Sequence, residues 1–214
     1  MFMTKIKLCG LRRVEDIDAA NLLKPDYIGF VFAKKSKRYI SPDEARVLKE
    51  RLNKDLNADN LKDSGNKKIR AVGVFVNEDV GIVAELLNTG IIDLAQLHGS
   101  EDEDYICRLR SLTDKPIIQA VKVQTTEDLL RAEASGADYI LLDAGAGDGV
   151  TFDWDLLKGF KRPYFLAGGL DPQNVGEVVR NIKPYGVDVS SGIETDGFKD
   201  PVKMQQFVEN VRRG

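Results

Sequence analysis

Short apolar segments rich in Val, Ile, Tyr and Phe alternate with helical stretches of about 8–14 residues along the whole of this 214-residue chain. This alternation is the strongest constraint on the fold. Strands joined through helices run parallel, and a parallel sheet must be covered on both faces. The pattern predicts strands over 5–9, 26–32, 69–76, 91–97, 116–121, 138–143, 163–167 and 186–190. It predicts helices over 14–24, 42–53, 79–88, 101–112, 126–135, 153–160, 172–182 and 201–212. Segments such as Ala71-Val-Gly-Val-Phe-Val76 and Tyr139-Ile-Leu-Leu142 are apolar at every position, as strands buried on both faces require. Eight consecutive strand–helix units close most naturally as a single-domain (β/α)8 barrel of the TIM type, an α/β fold spanning residues 1–214. A doubly wound open sheet would want a GxGxxG turn after the first strand, and Cys9-Gly-Leu-Arg-Arg13 is not one.

Local chemistry marks the same boundaries. Ser41-Pro42, Asp171-Pro172 and Asp200-Pro201 each set a capping side chain before a proline at the first helical position, where its missing N–H costs nothing. Ser41 to Glu44 and Ser100 to Glu103 have the spacing of capping boxes. Pro116 and Pro163 open strands, and Pro25 and Pro184 follow helices. The polar stretch 53–68 is longer than a usual helix-to-strand connection and reads as a surface excursion opposite the strand C-termini.

Composition narrows the function classes. No apolar run nears the roughly 18 residues of a membrane span, and no secretory h-region opens the chain, so a cytoplasmic protein is expected. A net charge of −3 argues against nucleic acid as the main partner. Two cysteines without CxxC spacing and a single histidine leave a Cys/His metal site almost no ligands. One local exception is Lys34-Lys35-Ser36-Lys37-Arg38, which fits either an anionic ligand or a solvated loop.

In a parallel barrel the chemistry collects where strands end and strand-to-helix loops begin. Those positions hold Cys9, the basic loop ending at Arg38, Gln96 and His98, Asp143, Gly168-Gly169, and Ser190-Ser191-Gly192. Glycines after strands 7 and 8 serve either tight turns or close backbone approach to a phosphate, and finding both pairs at adjacent strand ends favours the phosphate. Cys9 reads as a buried inert thiol or, facing the pocket, as a base. Cys107, flanked by Tyr105, Ile106 and Leu109, is assigned to helix packing. Asp143 is a turn cap or an acid, and acting as an acid near neutrality would need its pKa raised. His98 is a neutral hydrogen-bonding group at least as readily as a base. Arg38 has the planar fork that grips a carboxylate.

Taken together these segments resemble the phosphoribosylanthranilate isomerase family of tryptophan biosynthesis. The likeness runs through Ile6-Lys-Leu-Cys-Gly-Leu11, Asp26-Tyr-Ile-Gly-Phe-Val-Phe32 with Ser36-Lys-Arg-Tyr39, Val72-Gly-Val-Phe-Val-Asn77 and Gln96-Leu-His-Gly99. It continues through Leu141-Leu-Asp143, Thr151-Phe-Asp-Trp154, Leu166-Ala-Gly-Gly-Leu170 with Asn174-Val175, and Asp188-Val-Ser-Ser-Gly-Ile-Glu194 with Gly197-Phe-Lys-Asp200. The chain departs from the family where Ser-Pro-Arg reads Ser36-Lys37-Arg38, and where the glycine pattern after Asp143 reads Ala146-Gly147-Asp148-Gly149.

The resemblance implies an Amadori rearrangement of N-(5-phosphoribosyl)anthranilate to the corresponding 1-deoxyribulose 5-phosphate, without metal or cofactor. By the same analogy Asp143 is the general acid and Cys9 the general base. Arg38 would pair with the anthranilate carboxylate and His98 line the pocket. Gly168, Gly169, Ser190, Ser191 and Gly192 would hold the phosphate. The expected partner is a small phosphorylated substrate, with no nucleic acid or membrane, and the protein a monomer or homodimer. The competing readings are a related phosphate-binding barrel isomerase or epimerase and a catalytically inactive barrel acting as a binding subunit. Cys9 on strand 1 and the single histidine weigh against the former, and intact Cys9, Asp143 and Arg38 against the latter.

Overall fold

The computed structural model describes residues 3–54, 68–145, 157 and 159–214. Eight parallel strands, β1 (Lys5–Cys9), β2 (Tyr27–Val31), β3 (Arg70–Phe75), β4 (Leu94–Leu97), β5 (Ile117–Lys122), β6 (Tyr139–Asp143), β7 (Tyr164–Ala167) and β8 (Gly186–Val189), close into a barrel in chain order. The closing pair runs parallel from Lys5 opposite Gly186 to Leu8 opposite Val189. Around it lie α1 (Val14–Leu23), α2 (Pro42–Arg51), α3 (Val80–Asn88), α4 (Glu103–Leu112), α5 (Thr126–Ala134), α6 (Val175–Ile182) and α7 (Pro201–Arg213). The eight-stranded barrel expected from the alternation is therefore present. The helix expected over 153–160 falls largely outside the described residues, as do most of the polar stretch 53–68 and the segment Ala146-Gly147-Asp148-Gly149.

The side-chain period of two sorts the strands. Leu8, Ile28, Phe30 and Ile140 point out into the layer shared with the helices, whereas Tyr27, Val72, Leu94, Ile118, Leu141 and Phe165 fill the barrel. Aromatic rings close the N-terminal end: Phe165 meets Tyr27 edge-on at 5.4 Å and Tyr185 at 5.3 Å, and Tyr139 stacks on Tyr185 at 5.7 Å. Nearer the C-terminal ends the interior becomes polar. Lys7, Gln96 and Asp188 are all buried there.

Several local expectations are met and three are corrected. Ser41 accepts from the Glu44 N–H while the Glu44 carboxylate accepts from the Ser41 N–H, a reciprocal cap on α2. Asp200 caps α7 through the Val202 and Lys203 N–H groups. Ser100, by contrast, does not cap α4: Asp102 does, accepting from Tyr105 N–H at 2.9 Å. Glu101 turns back instead, accepting from Asn77 N–H at 2.6 Å and Gly99 N–H at 2.7 Å, and so ties the loops after β3 and β4 together. Asp171 caps a turn over Gln173 and Asn174, and α6 begins only at Val175. Cys107 is exposed rather than packed, because Tyr105, Ile106 and Leu109 occupy the inner face of α4 and position 107 turns outward.

One element had no counterpart in the expected pattern. After β8 and a short 3₁₀ turn over Ser191–Ile193, two-residue strands β9 (Glu194–Thr195) and β10 (Phe198–Lys199) form a small hairpin before α7. It folds over the β1 side of the barrel mouth. The Phe198 ring lies under the guanidinium groups of Arg12 and Arg13, at 4.8 and 4.7 Å from the ring centre.

Candidate active site

Cys9 is the last residue of β1, and the alternation that sends Leu8 outward sends its thiol inward beside Val31 and Val74. Gly29 lies opposite it on β2, where a Cβ would come within 2.7 Å of the sulfur, so a residue with no side chain makes room for the thiol. The backbone carbonyl of Cys9 accepts from the Ser190 hydroxyl at 3.2 Å, which joins the ends of β1 and β8. Two residues below on the same inward face, Lys7 is fully buried, with its ammonium 2.9 Å from Asp188 of β8. Burial pushes the Cys9 thiol above its ordinary pKa, and the positive charges of Lys7 and Lys199 oppose that rise without cancelling it.

On the other side of the mouth Asp143 ends β6, and its carboxylate faces His98 from the end of β4. His98 Nε2 lies 3.4 Å from Asp143 Oδ2, and the Gly145 N–H donates to Oδ1 at 2.9 Å. Gln96, buried one step down β4, meets His98 Nδ1 through its side-chain nitrogen at 2.9 Å. With Gln96 donating to Nδ1, the ring proton sits on Nε2 and points at Asp143, a tautomer assigned from these hydrogen bonds. The hydrogen bond from His98 lowers the Asp143 pKa, outweighing burial, with Gly145 and Lys122 adding to it. An acid role was expected to need the opposite shift. Asp143 is therefore held as a carboxylate, because two donors aim at it.

Arg38 reaches the mouth from the loop after β2. Its fork is closed on Glu194 of β9, with Nε at 2.6 Å from Oε1 and Nη2 at 2.7 Å from Oε2. Lys199 of β10 donates to Glu194 Oε1 at 2.6 Å and to the Ser190 carbonyl at 2.8 Å. Burial pushes the Glu194 carboxyl up, but the Arg38 and Lys199 hydrogen bonds prevail and hold it at about 2. Arg12 adds two further ties, to the carbonyls of Lys37 and Gly197. The fork expected to take a substrate carboxylate is thus already engaged through Nε and Nη2.

The loops after β7 and β8 meet backbone to backbone. A Cβ on Gly192 would fall 2.0 Å from the Leu170 carbonyl oxygen, so only glycine fits there. Gly168 and Gly169 have φ of 93° and 63°, and a Cβ on Gly168 would sit 2.7 Å from Asp143 Oδ1. Gly168, Gly169, Ser190, Ser191 and Gly192 thus line a continuous rim from Asp143 round to Cys9.

The residues named from strand ends do share one end of the barrel. Glu194, Lys199, Lys7 and Asp188 were not singled out. For Lys7 and Asp188 the signal was available: each precedes a candidate residue, Cys9 or Ser190, by two positions and so shares its inward face.

Known proteins similar to this chain are readily found. The family model of N-(5'-phosphoribosyl)anthranilate (PRA) isomerase matches residues 6–210. Curated relatives named N-(5'-phosphoribosyl)anthranilate isomerase include one from Endomicrobium trichonymphae, 43% identical over 98% of this chain and 99% of its own, and one from Acetivibrio thermocellus, 44% identical over 98% and 96%. Among solved structures, phosphoribosyl anthranilate isomerase from Thermotoga maritima superposes with a TM-score of 0.82 at 33% identity, covering 98% of both chains. Another isomerase structure, in complex with reduced 1-(o-carboxyphenylamino)-1-deoxyribulose 5-phosphate, superposes with a TM-score of 0.81 at 33% identity, again over 98% of both. With the match covering nearly its whole length, this chain belongs to the phosphoribosylanthranilate isomerase family.

Proposed function

We propose that this chain catalyses its family's reaction, the rearrangement of N-(5-phosphoribosyl)anthranilate to 1-(2-carboxyphenylamino)-1-deoxyribulose 5-phosphate in tryptophan biosynthesis, with Asp143 as general acid and Cys9 as general base. The observation that carries this reading is the placement of a thiol and a carboxyl at the inward ends of β1 and β6, with a glycine- and serine-lined rim between them. A substrate whose phosphate rests on the main-chain N–H groups of that rim would lie with its sugar between the two groups.

The reaction needs a proton delivered to the ring oxygen and another removed from C2′. Asp143 gives its proton to the ring oxygen as the C1′–O bond breaks and the anilino nitrogen supplies the pair for the C1′=N bond. Since His98 holds free Asp143 as a carboxylate, the acidic species is the hydrogen-bonded His98–Asp143 pair carrying one further proton, delivered through the Asp143 oxygen. The cationic imine acidifies C2′–H. Cys9 takes that proton, the C–H pair becomes the C1′=C2′ bond, and the C=N pair returns to nitrogen. The enolamine then tautomerises to the ketone, and solvent moves the proton from Cys9 back to the acid pair. Arg38 supplies the charge for the anthranilate carboxylate, either through the Nη1 face left free of Glu194 or by exchanging partners.

Among the described residues no helix is long and apolar enough to cross a membrane. A small phosphorylated substrate is the expected partner, and the reading places the enzyme in the cytoplasm as a monomer or homodimer. The decisive assay generates the unstable substrate from anthranilate and phosphoribosyl pyrophosphate with a transferase, then follows the loss of its fluorescence on adding this protein. Decay faster than the spontaneous rate is expected. An unchanged decay rate would eliminate the reading.

A further inference from the structure

The buried ion pair beneath Cys9 has no role in the steps above. Lys7 and Asp188 stand opposite each other on β1 and β8, and Lys7 is wholly inaccessible to solvent. Stability alone does not explain them. Removing an ammonium and a carboxylate from water costs several kcal/mol each, and apolar side chains of the same volume are often as stable or more so. The barrel already fills comparable inward positions with Val72, Leu94, Ile118 and Leu141. What an apolar pair could not provide is a fixed positive charge against the sulfur of Cys9.

We infer that Lys7 is a positioning residue for the base, an ammonium anchored by Asp188 and aimed at Cys9 so that the thiolate can form inside a water-poor barrel end. The inference rests on the reading of Cys9 as the base. Lys7 and Cys9 share the inward face of β1 two residues apart, which sets the ammonium beside the thiol's end of the strand, close enough for each to favour the other's charged form. An ammonium has three donors, so holding Asp188 leaves others for sulfur. Burial pushes Lys7 toward losing its proton, but Asp188 and Cys9 pull harder the other way and it stays charged.

The other groups facing the thiol can be named. Asp188 of β8 disfavours the thiolate, whereas Lys199 of β10 favours it and Arg38 from the loop after β2 also interacts with it. From β2 and β3 the uncharged Gly29, Val31 and Val74 approach. Lys7 is the largest favourable influence on the charged form. In the step it supports, the thiolate takes the C2′ proton and becomes a thiol, while Lys7 keeps its own proton throughout. Charge is thus neutralised next to an unchanging ammonium.

The test reads the thiol directly. In a Cys107→Ser background, which removes the exposed cysteine, the rate of Cys9 alkylation by iodoacetamide is followed against pH. Lys7→Met should move the midpoint up by one unit or more and lower kcat near neutrality roughly tenfold per unit, with activity regained as pH rises and KM little changed. Asp188→Asn should move the midpoint down, an opposite sign that a merely structural pair would not produce. Lys7→Met leaves Asp188 buried and unpaired, so Lys7→Met/Asp188→Asn, with no charge left behind, serves if the single variant does not fold. Its midpoint should also rise, because the Lys7 effect is the larger of the two. An unmoved midpoint in folded Lys7→Met or in the double variant overturns the inference. Full turnover by Cys9→Ala would overturn the assignment of the base while leaving the Lys7 effect on the thiol intact, so the two failures are distinguishable.

Discussion

The two sides of the barrel mouth are built differently. On the β1–β8 side the charged groups are tied to neighbours: Lys7 to Asp188, Arg38 and Lys199 to Glu194, and Arg12 to the Lys37 and Gly197 carbonyls. On the β4–β6 side a single chain of contacts runs from Gln96 through His98 to Asp143, whose side chains beyond Gln96 are 37% and 28% exposed. The proposed base, Cys9, therefore sits in a braced, dry wall and the proposed acid, Asp143, in an open one. That division suits the chemistry. A buried thiol needs fixed charges to ionise at all, whereas an acid that must regain a proton every turnover benefits from contact with water.

The contrast is broken most severely by deleting either end of it. Cys9→Ala and Asp143→Ala should each lower kcat by on the order of 10²–10⁴, the usual worth of a positioned acid or base. Steady-state kinetics in the coupled assay measures this, with KM changing much less than kcat. Near wild-type turnover in either variant would remove that group from the mechanism.

The next effect belongs to the braced wall. Arg38→Ala removes the charge-assisted contact proposed for the anthranilate carboxylate, worth about 1.5–3 kcal/mol, and should raise KM roughly ten- to a hundredfold. Glu194→Gln keeps Arg38 but loosens its fork, so KM should rise by less, while the pH dependence of folding changes as well.

The direction of that change follows from the carboxyl at about 2, below the ordinary glutamate value of 4.5. A group with a depressed folded pKa contributes stability that is complete above its unfolded pKa and disappears as pH falls through the folded one. Wild-type protein should therefore lose about 1–2 kcal/mol between pH 4.5 and 2 from Glu194, after allowance for screening by the water that reaches the pair. In Glu194→Gln that part of the acid loss is absent. Urea unfolding at pH 6 and pH 3 measures it, and equal acid losses in the two proteins would show that the latch contributes nothing.

The same contrast explains what could be read from the residues alone. β3 and β6 were legible because strands buried on both faces read as unbroken apolar runs, as in Ala71 to Phe75 and Ile140 to Leu142. Cys9, His98 and Asp143 were legible because strand ends locate the mouth of a parallel barrel. The brace was not. β9 and β10 are two residues long, too short for any period to show, so nothing in their periodicity marked Glu194 as the shared partner of Arg38 and Lys199. The depressed Asp143 was equally hidden, because it depends on β4 and β6 lying two strands apart round the barrel so that His98 can reach across β5.

The smallest effect tests the open wall. His98 is the leading cause of the low Asp143 pKa, so His98→Ala should move the Asp143 titration upward, toward or past its ordinary value. Gly145 N–H and Lys122 still favour the carboxylate and burial still opposes it, which keeps the move modest. The carboxyl carbon of Asp143, followed by NMR across acid pH, reports this without any turnover. Activity should respond in two opposing ways: a carboxyl that protonates more readily is a better-filled acid, but one without its histidine loses its means of reloading. If the pair is the acidic species, the second outweighs the first and kcat falls although the Asp143 pKa has risen. A variant in which kcat and the Asp143 pKa rise together would make the lone carboxyl the acid, and His98 only a group that holds it in place.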